Sequence, residues 1–303
     1  MRKATYYLCA LVLVAAPPAR SQAKAEANED VASSATEALQ KATQNPVASL
    51  TSVPIQNNSN FGVSPGYRTQ DVLNIQPVIP LSVSKRWNLI IRWIAPVVWQ
   101  PLPNQPRTPE SGVYGLGDMQ PAFFLSPRKT GKLIWGAGPI FQLPTATSTF
   151  LGQGKLGLGP SLVLLTQPGH WTIGALINNV WSVAGSVHRP FVNQMLLQYF
   201  VNYNLKSGWY LTSSPILTAN WRVSKGGWLV PFGGGAGRIM KLGAQPVNIS
   251  ASFYGNTVHP PGASSWGMRL QIAFLFPKLT REMEQMLLEK KLKQLQQEQP
   301  QKK

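Results

Sequence analysis

Between Pro46 and Pro277 the sequence alternates apolar and other side chains with a period of two, in segments of about ten residues separated by turn residues. An extended chain sends successive side chains to opposite faces, so this pattern specifies strands that are apolar on one side. The last segment is the clearest: Trp266, Met268, Leu270, Ile272, Phe274 and Phe276 alternate with Gly267, Arg269, Gln271, Ala273 and Leu275. Leu73 to Val83 and Gln194 to Leu205 read the same way. The 26 Gly and 26 Pro weigh against a helical fold, and 10 Trp with 44% hydrophobic residues weigh against disorder.

Twelve such segments can be counted, the first centred near residue 55 and the last near residue 271. An even number suits a closed antiparallel barrel, and in bacterial outer-membrane barrels short periplasmic turns alternate with longer external loops. The even-numbered connections, Ser84 to Trp87, Pro127 to Lys132, Pro168 to His170, Lys206 to Gly208 and Leu242 to Gln245, are all short. The odd-numbered ones, Gly62 to Gln70, Leu102 to Tyr114, Thr145 to Gly154, Val183 to Val192 and Asn256 to Ser264, are longer; only Val223 to Gly227 departs. The expected fold is therefore all-β, a transmembrane barrel of about twelve strands.

Tryptophan collects at membrane interfaces and so marks the ends of spanning strands. The count places Trp87, Trp135, Trp171 and Trp209 at the periplasmic ends, and Trp99, Trp181, Trp221, Trp228 and Trp266 at the outer ends. Trp93 alone is mid-strand. These nine are the expected interface belt, in contact with lipid and lipopolysaccharide.

The flanks read differently. Met1-Arg2-Lys3, an apolar run from Ala4 to Ala16, Pro17-Pro18 and Ser21-Gln22-Ala23 have the grammar of a cleaved secretory signal over residues 1–23. Cys9 lies inside it, so the exported chain has neither a disulfide nor a thiolate site. Residues 24–45 form a weakly amphipathic spacer or helix, a candidate plug, and residues 46–277 the barrel. Residues 278–303 read as an amphipathic periplasmic helix or tail, solvated or in contact with a periplasmic partner.

Lys and Arg outnumber Asp and Glu by 28 to 11 over the chain, and by 16 to three between Pro46 and Pro277. The basic residues are dispersed over strands and turns rather than gathered in one stripe, which argues against nucleic acid. Parity instead puts Arg92, Lys155, Arg222 and Arg269 in the lumen with Asp118 as its acid, beside the polar residues Gln76, Gln198, Asn202 and Gln271. A positively lined pore favours anions. Gly136, Gly138, Gly157 and Gly159 share the lumen-facing parity, where missing side chains either admit another segment or adjust the curvature of the wall. The run Gly233 to Gly237 lacks the ending of a phosphate loop and marks a bend. His170, His188 and His259 all fall in turns or loops, with neither metal-ligand nor catalytic spacing, so no enzymatic activity and no cofactor are expected.

Gln44 to Asn58 (QNPVASLTSVPIQNN), Thr69 to Pro101, Gly115 to Pro127 (GLGDMQPAFFLSP), Ser214 to Trp221 (SPILTANW) and Gln245 to Asn256 (QPVNISASFYGN) resemble a family of bacterial outer-membrane proteins. It is the family grouped with the MetA pathway of phenol degradation, some of whose members are labelled neuromedin U. The resemblance implies an outer-membrane barrel and passage of small molecules. Two functions fit these readings: a passive, porin-like channel for small anionic or apolar solutes, or a non-conducting barrel with periplasmic contacts.

Overall fold

The computed structural model describes residues 34–64, 67–102 and 111–277. The expected leader at 1–23, the first part of the spacer at 24–33 and the tail at 278–303 lie outside the described residues.

Twelve antiparallel strands close into a barrel. They are β1 (Thr51–Val63), β2 (Arg68–Ile75 and Val78–Ser82), β3 (Trp87–Pro101), β4 (Gly112–Leu116 and Gln120–Pro127), β5 (Leu133–Gln142) and β6 (Lys155–Thr166). The second half comprises β7 (Trp171–Gly185), β8 (Asn193–Asn204), β9 (Trp209–Ser213 and Ile216–Asn220), β10 (Trp228–Leu242), β11 (Gln245–Val258) and β12 (Trp266–Phe276). Each pairs with its neighbours in sequence, and β1 pairs with β12 in an unbroken register from Thr51↔Phe276 to Phe61↔Trp266. Two of the three split strands break at a proline, Pro77 in β2 and Pro215 in β9, where the missing N–H interrupts the ladder. Across the first break the chain stays on its neighbours through Gln76 N–H to Pro54 O (2.8 Å) and Trp93 N–H to Pro77 O (3.0 Å).

Two boundaries differ from the sequence reading. The first hairpin is tight, β1 ending at Val63 and β2 starting at Arg68, because the strands continue through residues read as loop. The barrel begins at Thr51 rather than Pro46: Asn45 Oδ1 accepts the Val47 amide (2.9 Å) and the Ala48 amide reaches Asn45 O (3.1 Å), which turns the chain before it can extend.

The alternation sorts the two faces. In β6, Lys155, Gly157, Gly159, Ser161, Val163 and Leu165 are buried inside, while Leu158 and Leu164 point outward. Outward Leu164, Ile173, Phe253 and Phe232 are 41%, 42%, 55% and 70% exposed. A water-facing surface does not carry a continuous apolar band of this kind, whereas hydrocarbon solvates it without cost.

The glycines serve both purposes read from their parity. A Cβ on Gly136 would stand 2.8 Å from Val47 Cγ1, so its absence admits the segment before β1. Cβ atoms on Gly138 and Gly159 would collide with the carbonyl oxygens of Phe123 and Asn179, so these two let adjacent backbones approach as the wall coils. Within the Gly233 to Gly237 run, which lies in β10, Gly233 holds φ +153° and Gly237 leaves room for the Tyr210 ring. Gly138→Val is expected to cost about 2 kcal/mol or more through forced backbone displacement. It should raise the fraction of heat-labile, SDS-unfolded protein on gels, whereas Gly131→Val, in an open turn, should leave it unchanged.

Candidate channel interior

At the short-turn end the bore is crossed by residues 34–50, a helix over 34–43 followed by a turn. Gln40 is buried and donates through Nε2 to Trp209 O (2.9 Å) and Leu205 O (3.5 Å). One turn later Gln44 Nε2 donates to Asn204 Oδ1 (2.7 Å), and Asn204 Nδ2 returns a bond to Gln44 Oε1 (3.3 Å). Gln167 Nε2 holds Lys41 O (2.8 Å), and Asn88 Nδ2 holds Ser49 Oγ (2.8 Å). Leu50 is buried with Ile239, Ala273 and Leu275, against which Leu39, Ala42 and Ala48 also pack. These anchors belong to β3, β8, β9, β10, β12 and the chain after β6, so the segment touches the wall most of the way round. On its open side Glu37 pairs with Lys41 (3.0 Å), whose hydrogen bond and charge hold the carboxyl below its ordinary value.

At the opposite end the chain between β5 and β6 folds back over the inward-facing Pro96 and Val98. The empty side of Gly117 lies between those two side chains and the Leu151 carbonyl. Asp118 pins this loop, its carboxylate accepting the amides of Gln153 (2.6 Å) and Ala146 (3.2 Å). Arg189, from the β7–β8 loop, clamps it by donating to Thr149 O (2.8 Å), Gln153 O (3.2 Å) and Gly152 O.

Between the two closures the interior is divided. On the β3 to β8 side Ile90, Phe124, Ile140, Val163, Leu176, Val180 and Phe200 form an apolar cluster that also takes in Val47. On the other side is a polar chamber of about 200 Å³. Six residues read from the sequence as lumenal line it: Gln76, Arg92, Gln198, Asn202, Arg269 and Gln271. Arg92 donates to Gln76 Oε1 (2.8 Å), and Gln198 to Ser214 Oγ (2.8 Å).

The other three sit elsewhere. Asp118 falls in the break of β4 and turns to the loop it pins. Lys155 is buried at the start of β6, its ammonium 4.8 Å from the Phe191 ring centre. Arg222 lies beyond the end of β9 at Asn220, so it is an exposed loop residue rather than part of the wall; its guanidinium is 5.9 Å from the same ring. Lys155, Arg189 and Arg222 thus form a basic rim at the long-loop end. Arg189 was not singled out by parity because it lies in a loop, where alternation carries no information.

The tryptophans stand near the two ends. Trp135, Trp171, Trp181, Trp209, Trp221, Trp228 and Trp266 are exposed, and Trp87 and Trp99 are half-buried. Trp87 packs edge-on to Trp135 (5.8 Å), Trp221 edge-on to Trp228 (5.5 Å), and Trp266 stacks on Phe61 (4.0 Å). His170, His188 and His259 are all exposed, and among the described residues there is no group of three or more His, Cys, Asp or Glu that could hold a metal.

This is the architecture of outer-membrane barrels. No family model and no curated protein matches the sequence. Among solved structures the chain is similar to an outer membrane channel from Pseudomonas putida F1, with a TM-score of 0.59 at 13% identity over 75% of this chain and 96% of that one. Lower similarity connects it to the NanC porin (TM-score 0.47, 10% identity, 75% and 100% covered). It also extends to outer membrane phospholipase A from Escherichia coli (0.40, 13%, 76% and 93%).

Replacing Gln40 and Gln44 together by Ala is expected to loosen the crossing segment by roughly 1–2 kcal/mol per lost buried hydrogen bond. Hydrogen exchange should rise across residues 34–50 and stay unchanged in β5 to β7.

Proposed function

We propose that this chain is an exported protein of the bacterial outer membrane and acts as a passive channel for small solutes, without enzymatic activity, its lumen favouring anions. The supporting observation is a barrel with a lipid-compatible exterior, closed without an edge, around an interior whose polar half carries Arg92 and Arg269. The short turns face the periplasm and the long loops face outward, with the Trp residues at the two interfaces and lipopolysaccharide against the outer one. The resemblance to the family associated with phenol degradation supports small-molecule passage and leaves the solute open.

A second reading, a non-conducting barrel with periplasmic contacts, is favoured by the segment that crosses the short-turn end. Planar-bilayer recordings of the mature chain and of one lacking residues 24–45 separate the two. Small or infrequent steps in the mature chain, larger steps in the shortened one and an anion-selective reversal potential in a salt gradient are expected. Silence in both would favour the filled barrel.

A further inference from the structure

Arg92 on β3 and Arg269 on β12 are half-buried on inward faces and border the same chamber. Apart from each other, every group among the described residues that meets them is neutral. Arg269 donates through Nε to Asn58 Oδ1 (3.0 Å) and through Nη1 to Ser214 O (2.8 Å), and lies 5.0 Å from the Tyr254 ring centre. Among the described residues Arg92 donates to Gln76 alone. A guanidinium carries five N–H groups, so most of the donors on both are left for whatever occupies the chamber.

The described acids are all engaged elsewhere. Glu37 pairs with Lys41, Asp71 accepts the Ser59 hydroxyl (2.5 Å) on the outward parity of β1 and β2, and Asp118 holds its loop. Two cations in a confined chamber without a countercharge incur a desolvation cost that an anion would relieve. The planar guanidinium fork takes an oxyanion such as a carboxylate with two parallel hydrogen bonds, which a spherical halide cannot accept in that way. The rest of the lining is mixed: the side chains of Gln198 and Gln271 share it with the apolar ones of Leu50, Val78 and Phe200. The chamber's roughly 200 Å³ suits a small solute rather than an extended one.

We propose that the Arg92–Arg269 chamber is a binding site for small organic carboxylates with a short apolar body. This deepens the channel reading and rests on it for its place on a solute path. Binding itself needs no conductance.

The test is saturation-transfer NMR on the full chain in detergent micelles, with butyrate as the probe. Butyrate should receive magnetisation, and Arg92→Gln and Arg269→Gln should each weaken its binding about tenfold, the loss expected for one charge-assisted contact. Arg222→Gln should leave it unchanged. Arg92→Lys and Arg269→Lys retain the charge without the fork and should fall between, with folding checked by the heat-dependent gel shift. Chloride should displace butyrate only at roughly tenfold higher concentration than acetate.

No transfer to the full chain, unweakened binding in the folded Arg92→Gln and Arg269→Gln variants, or displacement by chloride as readily as by acetate would overturn the assignment. A barrel that conducts without holding butyrate removes this site and leaves the proposed function standing. One that holds butyrate and never conducts does the reverse.

Discussion

The pairing of β1 with β12 is the constraint on which the rest of the molecule depends. In hydrocarbon an unpaired N–H or C=O has no water to turn to, and each one costs several kcal/mol. An open sheet of these strands would expose two such edges. The continuous register from Thr51↔Phe276 to Phe61↔Trp266 removes both. Closure also divides every strand into a face that must suit lipid and a face that need not. The breaks at Pro77 and Pro215 are tolerated because each strand resumes on the same neighbours within two residues.

Inside, closure creates a space too wide for wall residues to fill evenly, and the chain resolves this asymmetrically. Eight-stranded barrels are filled by their own side chains and sixteen-stranded ones leave a water channel; twelve strands fall between. Here the β3 to β8 side is packed with apolar side chains, and the remainder is divided between the crossing segment and the basic chamber. The glycines belong to the same solution. Without Gly136 there would be no room for Val47, and without Gly138 and Gly159 the neighbouring carbonyls could not approach.

The architecture was legible in the sequence because two independent periodicities agreed on it. Alternation located the twelve strands, and the spacing of short and long connections located their ends. Parity likewise placed Arg92 and Arg269 on the lumenal side. It did not carry to Arg222, which lies past the end of β9 where the chain is no longer in register, and Asp118, in the break of β4, faces the β5–β6 loop rather than the chamber. The anchoring of residues 34–50 was not legible in its particulars. Gln40 lies in a helix whose apolar pattern is weak and Gln44 just past its end, and their partners, the Trp209 carbonyl and the Asn204 amide, are more than a hundred residues away. Polar side chains that bond across such distances leave no local signature.

The crossing segment has a consequence for how the molecule is made. It immediately precedes β1, one side of the seam, yet its anchors are spread over β3, β8, β10 and β12. No run of consecutive strands that lacks β12 offers the whole of its binding surface. The stretch nearest the start of the barrel therefore finds its complete set of partners only when the final strand arrives, and a partly assembled sheet cannot hold it. The closing of the seam therefore both finishes the wall and completes the seat of the segment that crosses it.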